Sequence, residues 1–192
     1  MKNLILASSS PFRRVLLDRL GLPYRCISPG IDETPQPHET PEALVQRLAL
    51  EKARAVARQV PQGLIIGSDQ VAVLDGDIIG KPLTHETARC QLQRASGRSV
   101  QFLTGLCLLD ARTGESQVEA VPFRVHFRTL SDRMIEHYLQ REQPYQCAGS
   151  FKSEGLGIAL FERLEGDDPN SLIGLPLIRL IRMLENAGVE VL

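Results

Sequence analysis

Two hydrophobic periods alternate along the first two thirds of the chain. Asn3-Leu4-Ile5-Leu6-Ala7 is a short apolar run that reads as a buried strand, and Ser8-Ser9-Ser10-Pro11-Phe12-Arg13-Arg14 opens a helix over 11–20. Gly21 stops that helix, and Tyr24 to Ser28 reads as a second strand. Residues 29–40 (PGIDETPQPHET) are polar and proline-rich, hence a loop, before Thr40-Pro41 starts a helix to about Gln59. Leu44, Val45, Leu48, Ala49, Ala53 and Val56 form its apolar side. Gly63-Leu64-Ile65-Ile66-Gly67 is continuously apolar, as expected of a strand buried on both faces, and leads into Ser68-Asp69-Gln70.

The second half holds longer alternating stretches. Asp75-Gly76 predicts a two-residue hairpin, Thr84 caps a helix to Ala95, and 99–110 with 116–128 predict a large hairpin across Thr113-Gly114. Ser131 caps a further helix stopped before Pro144, Gly149 to Phe161 is glycine-rich and strand-like, and Pro169 to Asn186 reads as one amphipathic helix. No repeat, low-complexity segment or composition break divides the chain. The pattern predicts an α/β protein with a mixed sheet flanked by helices, a single domain over residues 1–192 folded as two lobes around a cleft.

The start of the first helix carries chemistry as well as structure. Ser10 suits the N-cap and Pro11 the first helical position. Free amides there, with Arg13 and Arg14 in the first turn, make an anion site. Cations in a first turn oppose the helix dipole by a few tenths of a kcal/mol, about 0.3. The heptapeptide alone supports equally a capped helix with solvated arginines.

Composition narrows the classes. With 43% hydrophobic and 23% charged residues the chain is an ordinary globular one, and a net charge of −1 excludes a broad electrostatic footprint for nucleic acid. No leader or membrane span is evident, so a cytoplasmic location is expected. Cys26, Cys90, Cys107 and Cys147 form no C-x-x-C pair, and His38, His85, His126 and His137 share no ligand spacing. Reduced, mostly buried thiols are therefore expected rather than disulfides or zinc, and a histidine metal site or triad is not. Against 18 arginines the chain has four lysines, Lys2, Lys52, Lys81 and Lys152. Lysine is the compact charge suited to a phosphate oxygen, so the internal three stand out, although compositional bias accounts for them equally well.

Ligand sites of open α/β sheets gather beyond strand carboxyl ends. That rule selects Ser8, Ser10, Phe12, Arg13 and Arg14, then Asp32-Glu33-Thr34, Ser68-Asp69-Gln70, Gly80-Lys81 and Ser150–Gly155, with Glu51-Lys52 late in the second helix. Asp69, expected just past a buried strand, is placed to act as base or metal ligand, or else to cap the next turn. Glu33 alone reads as a solvated loop acid. Two acids, two lysines, an arginine and a phosphate-shaped helix start together describe a phosphoanhydride site with a divalent cation. Pro82 after Gly80-Lys81 rules out a Walker loop.

These residues resemble a known family. ASSSPFRRVLL, DETP, LALEKA, IIGSDQV, GKPLT and the late AGSFKSEG and GLP segments are similar, in order and spacing, to the Maf family of nucleoside triphosphate pyrophosphatases, from residue 4 to about 177. The resemblance implies an elongated mixed sheet related in shape to inosine triphosphate pyrophosphatases. It also implies hydrolysis between the α and β phosphates with Mg²⁺ or Mn²⁺, and a possible homodimer. By the same resemblance Asp69 is the catalytic proton acceptor, and Arg13, Glu33, Lys52 and Lys81 match the other phosphate- and metal-handling positions. On that basis Glu33 and Asp69 are expected to hold the metal, and Ser8, Ser10, Arg13, Lys52 and Lys81 the triphosphate.

Members acting on dTTP and UTP have arginine where this chain has Phe12. With Gln70 and Glu154, the chain resembles instead the YceF-type subfamily, which hydrolyses 7-methyl-GTP. N7-methylation makes guanine cationic, which suits the Phe12 ring by roughly 0.5–2 kcal/mol and a Glu154 carboxylate on the guanine edge. Phe12 in isolation reads as a core residue. The alternatives are a pyrophosphatase for a different triphosphate, pyrimidine or damaged purine, and a non-catalytic nucleotide-binding regulator of cell division.

Overall fold

A computed structural model describes residues 3–192, so Met1 and Lys2 lie outside the described residues. Strands β1 (Leu4–Leu6), β2 (Tyr24–Cys26), β3 (Leu64–Leu74), β4 (Asp77–Ile79), β5 (Ser99–Asp110), β6 (Ser116–Phe127) and β7 (Phe161–Glu165) form one mixed sheet. Its order is β2-β1-β3-β5-β6-β7, with β4 paired to β3. The helices are α1 (Pro11–Asp18), α2 (Pro41–Ala57), α3 (His85–Ala95), α4 (Asp132–Glu142), α5 (Pro169–Ile173) and α6 (Leu177–Asn186). None is long and apolar enough to cross a membrane.

The chain divides into two compact units. One comprises the chain up to Gln70 with Leu103–Val121 and Asp168–Leu192, the other Val71–Phe102 with Pro122–Asp167. In the first, β1 is parallel to both β2 and β3 and is covered on both faces, which is why it reads as an unbroken apolar run. Leu4 and Leu6 join Leu16 and Leu17 of α1 and Leu180 and Leu184 of α6. Ile5 and Ala7 face the other way, with Ala49, Ala53 and Val56 of α2. In the second unit β7 is antiparallel to β6, and Phe102, Phe127, Phe151 and Phe161 meet edge to face at 4.9–5.6 Å.

Local signals acted as expected at most boundaries. Ser10, Thr40, Thr84 and Ser131 cap α1, α2, α3 and α4 through their side chains. Asp75 and Gly76 adopt positive φ (53° and 89°) in the tight turn between β3 and β4.

Three expectations fail. Strand β3 does not end at Gly67 but runs on to Leu74, so Asp69 is a mid-strand residue rather than one beyond a strand end. The polar triplet is tolerated because each side chain is hydrogen-bonded: Asp69 to Lys52, Ser68 to Gly174 and Gln70 to Ser171. Residues 149–160 are not a strand. Positive φ at Gly149 (75°) and Ser150 (63°) breaks the extended chain there. Gly157 is held so close to the Lys152 carbonyl that a Cβ would stand 2.2 Å from its oxygen, and the segment folds as two 3₁₀ turns. The final helix is two helices, broken at Gly174 (φ 114°) and Pro176. Asp168 serves both, accepting from Asn170 N at 2.9 Å and from Ile178 N at 2.7 Å.

Helix α2 lies exceptionally close to the sheet. A Cβ built on Gly67 would stand 2.0 Å from the Ala49 carbonyl oxygen, and one on Gly105 2.0 Å from that of Val45. Gly80, by contrast, has nothing within 4 Å. Gly67→Ala and Gly105→Ala are expected to lower stability by about 3 kcal/mol or more, since the clash is with backbone. Gly80→Ala is expected to be near neutral, within about 0.5 kcal/mol. Urea midpoints of the three variants check this.

Candidate active site

The apolar stripe of α2 contains one charge. Lys52 shares the buried face with Leu48, Ala49, Ala53 and Val56, and only 5% of it is exposed. An ammonium so placed needs anionic partners. Its Nζ is 2.6 Å from Asp69 Oδ1 and 2.7 Å from Glu33 Oε1. Asp69 is also buried, whereas Glu33 arrives from the 29–40 loop with its side chain 58% exposed.

Strand alternation divides β3 into two sets of residues. Ile65, Gly67 and Asp69 face α2, with Gly67 against Ala49 and Asp69 on Lys52. Leu64, Ile66, Ser68 and Gln70 face the α5–α6 side. Ser68 Oγ donates to the Gly174 carbonyl at 2.9 Å, and Gln70 Nε2 to the Ser171 and Leu172 carbonyls at 2.7 and 3.2 Å. Thr104 Oγ1 accepts from Gln70 and donates to the same Ser171 carbonyl. Gln70, expected at the substrate, thus has its amide nitrogen engaged in holding the end of α5.

The end of β1 supplies the cationic part. Ser8 is buried, and its Oγ accepts from Ser10 N at 3.1 Å and from Arg13 Nη1 at 3.4 Å. Ser10 Oγ accepts from Arg13 N as the N-cap of α1, so the capping reading of Ser10 holds. Arg13 Nε donates to the Gly174 carbonyl at 2.8 Å. Burial pulls the Arg13 guanidinium below its ordinary pKa, and the nearby charges of Asp69 and then Glu33 act in the opposite sense. Ser8, Arg13, Glu33, Lys52 and Asp69 are therefore one polar cluster within the first unit. Phe12, beside them on α1, is 36% exposed and is not a core residue.

Lys81 and Glu154 belong to the second unit. Both are exposed, Lys81 following β4 and Glu154 accepting from Ser153 Oγ at 3.4 Å. Lys152 anchors that turn, donating from Nζ to the Glu142 carbonyl at 2.7 Å and from N to Tyr138 OH at 3.0 Å. Burial raises the Cys147 thiol; Glu154 and Glu142 raise it further, while Lys152 and Lys81 oppose them.

Gly174, whose carbonyl orients both Ser68 and Arg13, acts through backbone and left no side-chain signal in the sequence. The four cysteines are free, but against the expectation of mostly buried thiols only Cys107 is buried, while Cys26 and Cys90 are exposed. One of the histidines, discounted for a triad, does stand in a serine–histidine–acid row: Ser99 Oγ lies 2.7 Å from His126 Nδ1, and His126 Nε2 2.9 Å from Glu165 Oε2. In serine hydrolases the hydroxyl meets Nε2 and the acid meets Nδ1. Here the ring is reversed, and Arg163 also occupies the carboxylate, so the row is a cross-strand tie. Among the described residues no group of three His, Cys, Asp or Glu side chains is placed to hold a metal ion.

Comparison with known proteins bears on this cluster. The 7-methyl-GTP pyrophosphatase of Nitrosococcus oceani is 61% identical over 98% of this chain and 95% of its own. That of Pseudomonas syringae pv. tomato is 62% identical over the whole of both chains. Among solved structures, the Staphylococcus aureus Ham1 protein aligns with a TM-score of 0.47 and 18% identity, covering 67% of this chain and 73% of that one. The family model described as Maf-like protein matches residues 3–187, which carry the whole cluster from Ser8 to Gly174. The chain belongs to the Maf-like protein family.

Proposed function

We propose that the protein hydrolyses the α–β phosphoanhydride of 7-methyl-GTP, taking up one water and releasing 7-methyl-GMP and pyrophosphate. The observation that carries the reading is the buried Lys52 ammonium held between Asp69 and Glu33, with Arg13 beside them at the start of a helix. The names of the relatives supply the substrate.

The donor chemistry suits a hard divalent ion. Mg²⁺ and Mn²⁺ take one or two protein carboxylates and complete their shell with water and substrate phosphate, and Glu33 and Asp69 are such a pair. A bound ion would neutralise phosphate charge as a Lewis acid. Arg13 and Ser8 bind phosphate oxygens, helped by the free amides at the start of α1. Asp69 orients the attacking water and accepts its proton as the oxygen adds to the α phosphorus. Lys52 holds the Asp69 carboxylate in place for that task through its 2.6 Å hydrogen bond and, with Lys81, offsets the charge developing on the departing pyrophosphate. Phe12, exposed on α1, stacks on the cationic methylated base, and Glu154 accepts from the guanine edge. The chemistry belongs to the cytoplasm, where nucleotides are pooled and free thiols persist.

Two predictions follow the chemistry. Asp69→Asn lowers kcat by about 10³-fold while the far-UV circular dichroism stays that of the parent; turnover near the parent rate removes Asp69 as the base. Phe12→Arg or Glu154→Gln lowers the preference for 7-methyl-GTP over GTP by roughly 2- to 30-fold in kcat/KM. Pyrophosphate release from 7-methyl-GTP, GTP, dTTP and UTP measures both. Unchanged relative rates would sink the base-recognition part alone.

A further inference from the structure

Glu33 has the weakest local reason to be where it is. It sits in a loop over residues 29–40 that contains no helix or strand, and its side chain is more than half exposed. Polar loops of that length sample many conformations unless something ties them down. Yet Glu33 Oε1 is set 2.7 Å from the Lys52 ammonium.

The tie comes from one side chain on α2. Arg47 is 19% exposed and spends its whole guanidinium fork on this segment and its neighbour. Nε donates to Glu39 Oε1 at 2.6 Å and Nη2 to Glu39 Oε2 at 2.8 Å, a bidentate pair. Nη2 also donates to the Thr34 carbonyl at 3.2 Å, one residue after Glu33. Nη1 donates to Glu51 Oε2 at 3.1 Å, one residue before Lys52. Within the loop, Glu39 Oε2 accepts from Gln36 N at 2.9 Å, and Asp32 Oδ1 accepts from Thr34 N at 2.9 Å. Hydrogen bonds from Arg47, then from Gln36 N, bring the Glu39 carboxyl down to about 2. A carboxyl depressed in the folded state keeps its partner at any pH above that value, so the tie is intact wherever the enzyme would operate.

We propose that Arg47 is a positioning residue of the reaction: by clamping Glu39 and the Thr34 carbonyl to α2, it delivers Glu33 to Lys52. Arg47 itself touches no reacting atom. The inference rests on the reading of Glu33 as a working acid of the pyrophosphatase. Lysine in its place has one point charge and cannot hold Glu39 bidentately, Thr34 and Glu51 together.

The test compares Glu33→Gln, Arg47→Ala, Arg47→Lys and the double variant Glu33→Gln/Arg47→Ala. Arg47→Ala is expected to lower kcat by at least about tenfold, and Arg47→Lys not to restore it. The double variant is expected to be no slower than Glu33→Gln alone, because Arg47 acts only through Glu33. In the nucleotide-free protein, amide exchange at Thr34 and Gln36 is expected to quicken by about tenfold or more in Arg47→Ala, while exchange in β3 is unchanged. Parent-like kcat in Arg47→Ala beside an inactive Glu33→Gln overturns the inference and spares the reading of Glu33. Additive losses in the double variant also overturn it, by showing a general structural role. A Glu33→Gln variant as fast as the parent overturns the assignment of Glu33 and the inference with it.

Discussion

The candidate site depends on how closely helix α2 approaches the sheet. Side chains normally hold a helix about 10 Å from a sheet it covers, and a lysine stem bridges that gap only toward solvent. Here Gly67 and Gly105 present bare backbone to the carbonyls of Ala49 and Val45, and Ala49 and Ala53 add little bulk of their own. The contact surface is thereby lowered just where Lys52 must reach inward. A larger residue at either glycine would push α2 outward and lengthen the 2.6 Å contact between Lys52 and Asp69.

That contact is electrostatically demanding. Taking an ammonium and a carboxylate out of water costs several kcal/mol per ion, and mutual attraction offsets this only with short, well-directed hydrogen bonds. Lys52 and Asp69 are both buried, so each offsets the desolvation of the other. Glu33 adds a second negative charge from the exposed side, leaving the trio with a net charge of −1. A cluster of that sign beside Arg13, at the positive end of a helix, has opposite fields a few side chains apart. In the proposed reaction such a field would bind the oxygens of a polyphosphate on one side and activate water on the other. The choice of lysine follows, since a compact ammonium fits between two carboxylates where a planar guanidinium demands a fork.

The parts of the molecule legible in the sequence were those fixed by local rules. Caps at Ser10, Thr40, Thr84 and Ser131 and the Asp75-Gly76 turn depend on a few adjacent residues, and each formed where expected. The site acids and Lys52 were legible because charge stands out at the end of an apolar pattern. Failures came where distant partners decided the outcome. Strand β3 carries three polar residues through the sheet because Lys52, Gly174 and Ser171 satisfy them, and no window of sequence around Asp69 contains those partners. Periodicity made one helix of 169–186, since the apolar stripe continues across Gly174 while the backbone does not. Arg47 was invisible for a different reason: among 18 arginines nothing in spacing marks the one whose fork is fully engaged.

The two faces of β3 then acquire different meanings. Odd positions from Ile65 to Asp69 carry the close approach and the buried Asp69 carboxylate, and even positions from Leu64 to Gln70 carry the frame. On the even side, the Gly174 carbonyl receives both Ser68 Oγ and Arg13 Nε. Arg13 is therefore aimed by a turn attached to the same strand whose opposite face holds Asp69. Because consecutive residues of one strand are rigidly related, the placements of Arg13 and of Asp69 both refer to one pair of residues, Ser68-Asp69. Their separation is set by two hydrogen bonds to the Gly174 carbonyl and one step along β3 rather than by a flexible loop, as the proposed hydrolysis needs if a phosphoanhydride and its attacking water are to be held in register. Glu33 is the exception, delivered by a loop, and so it alone requires a clamp.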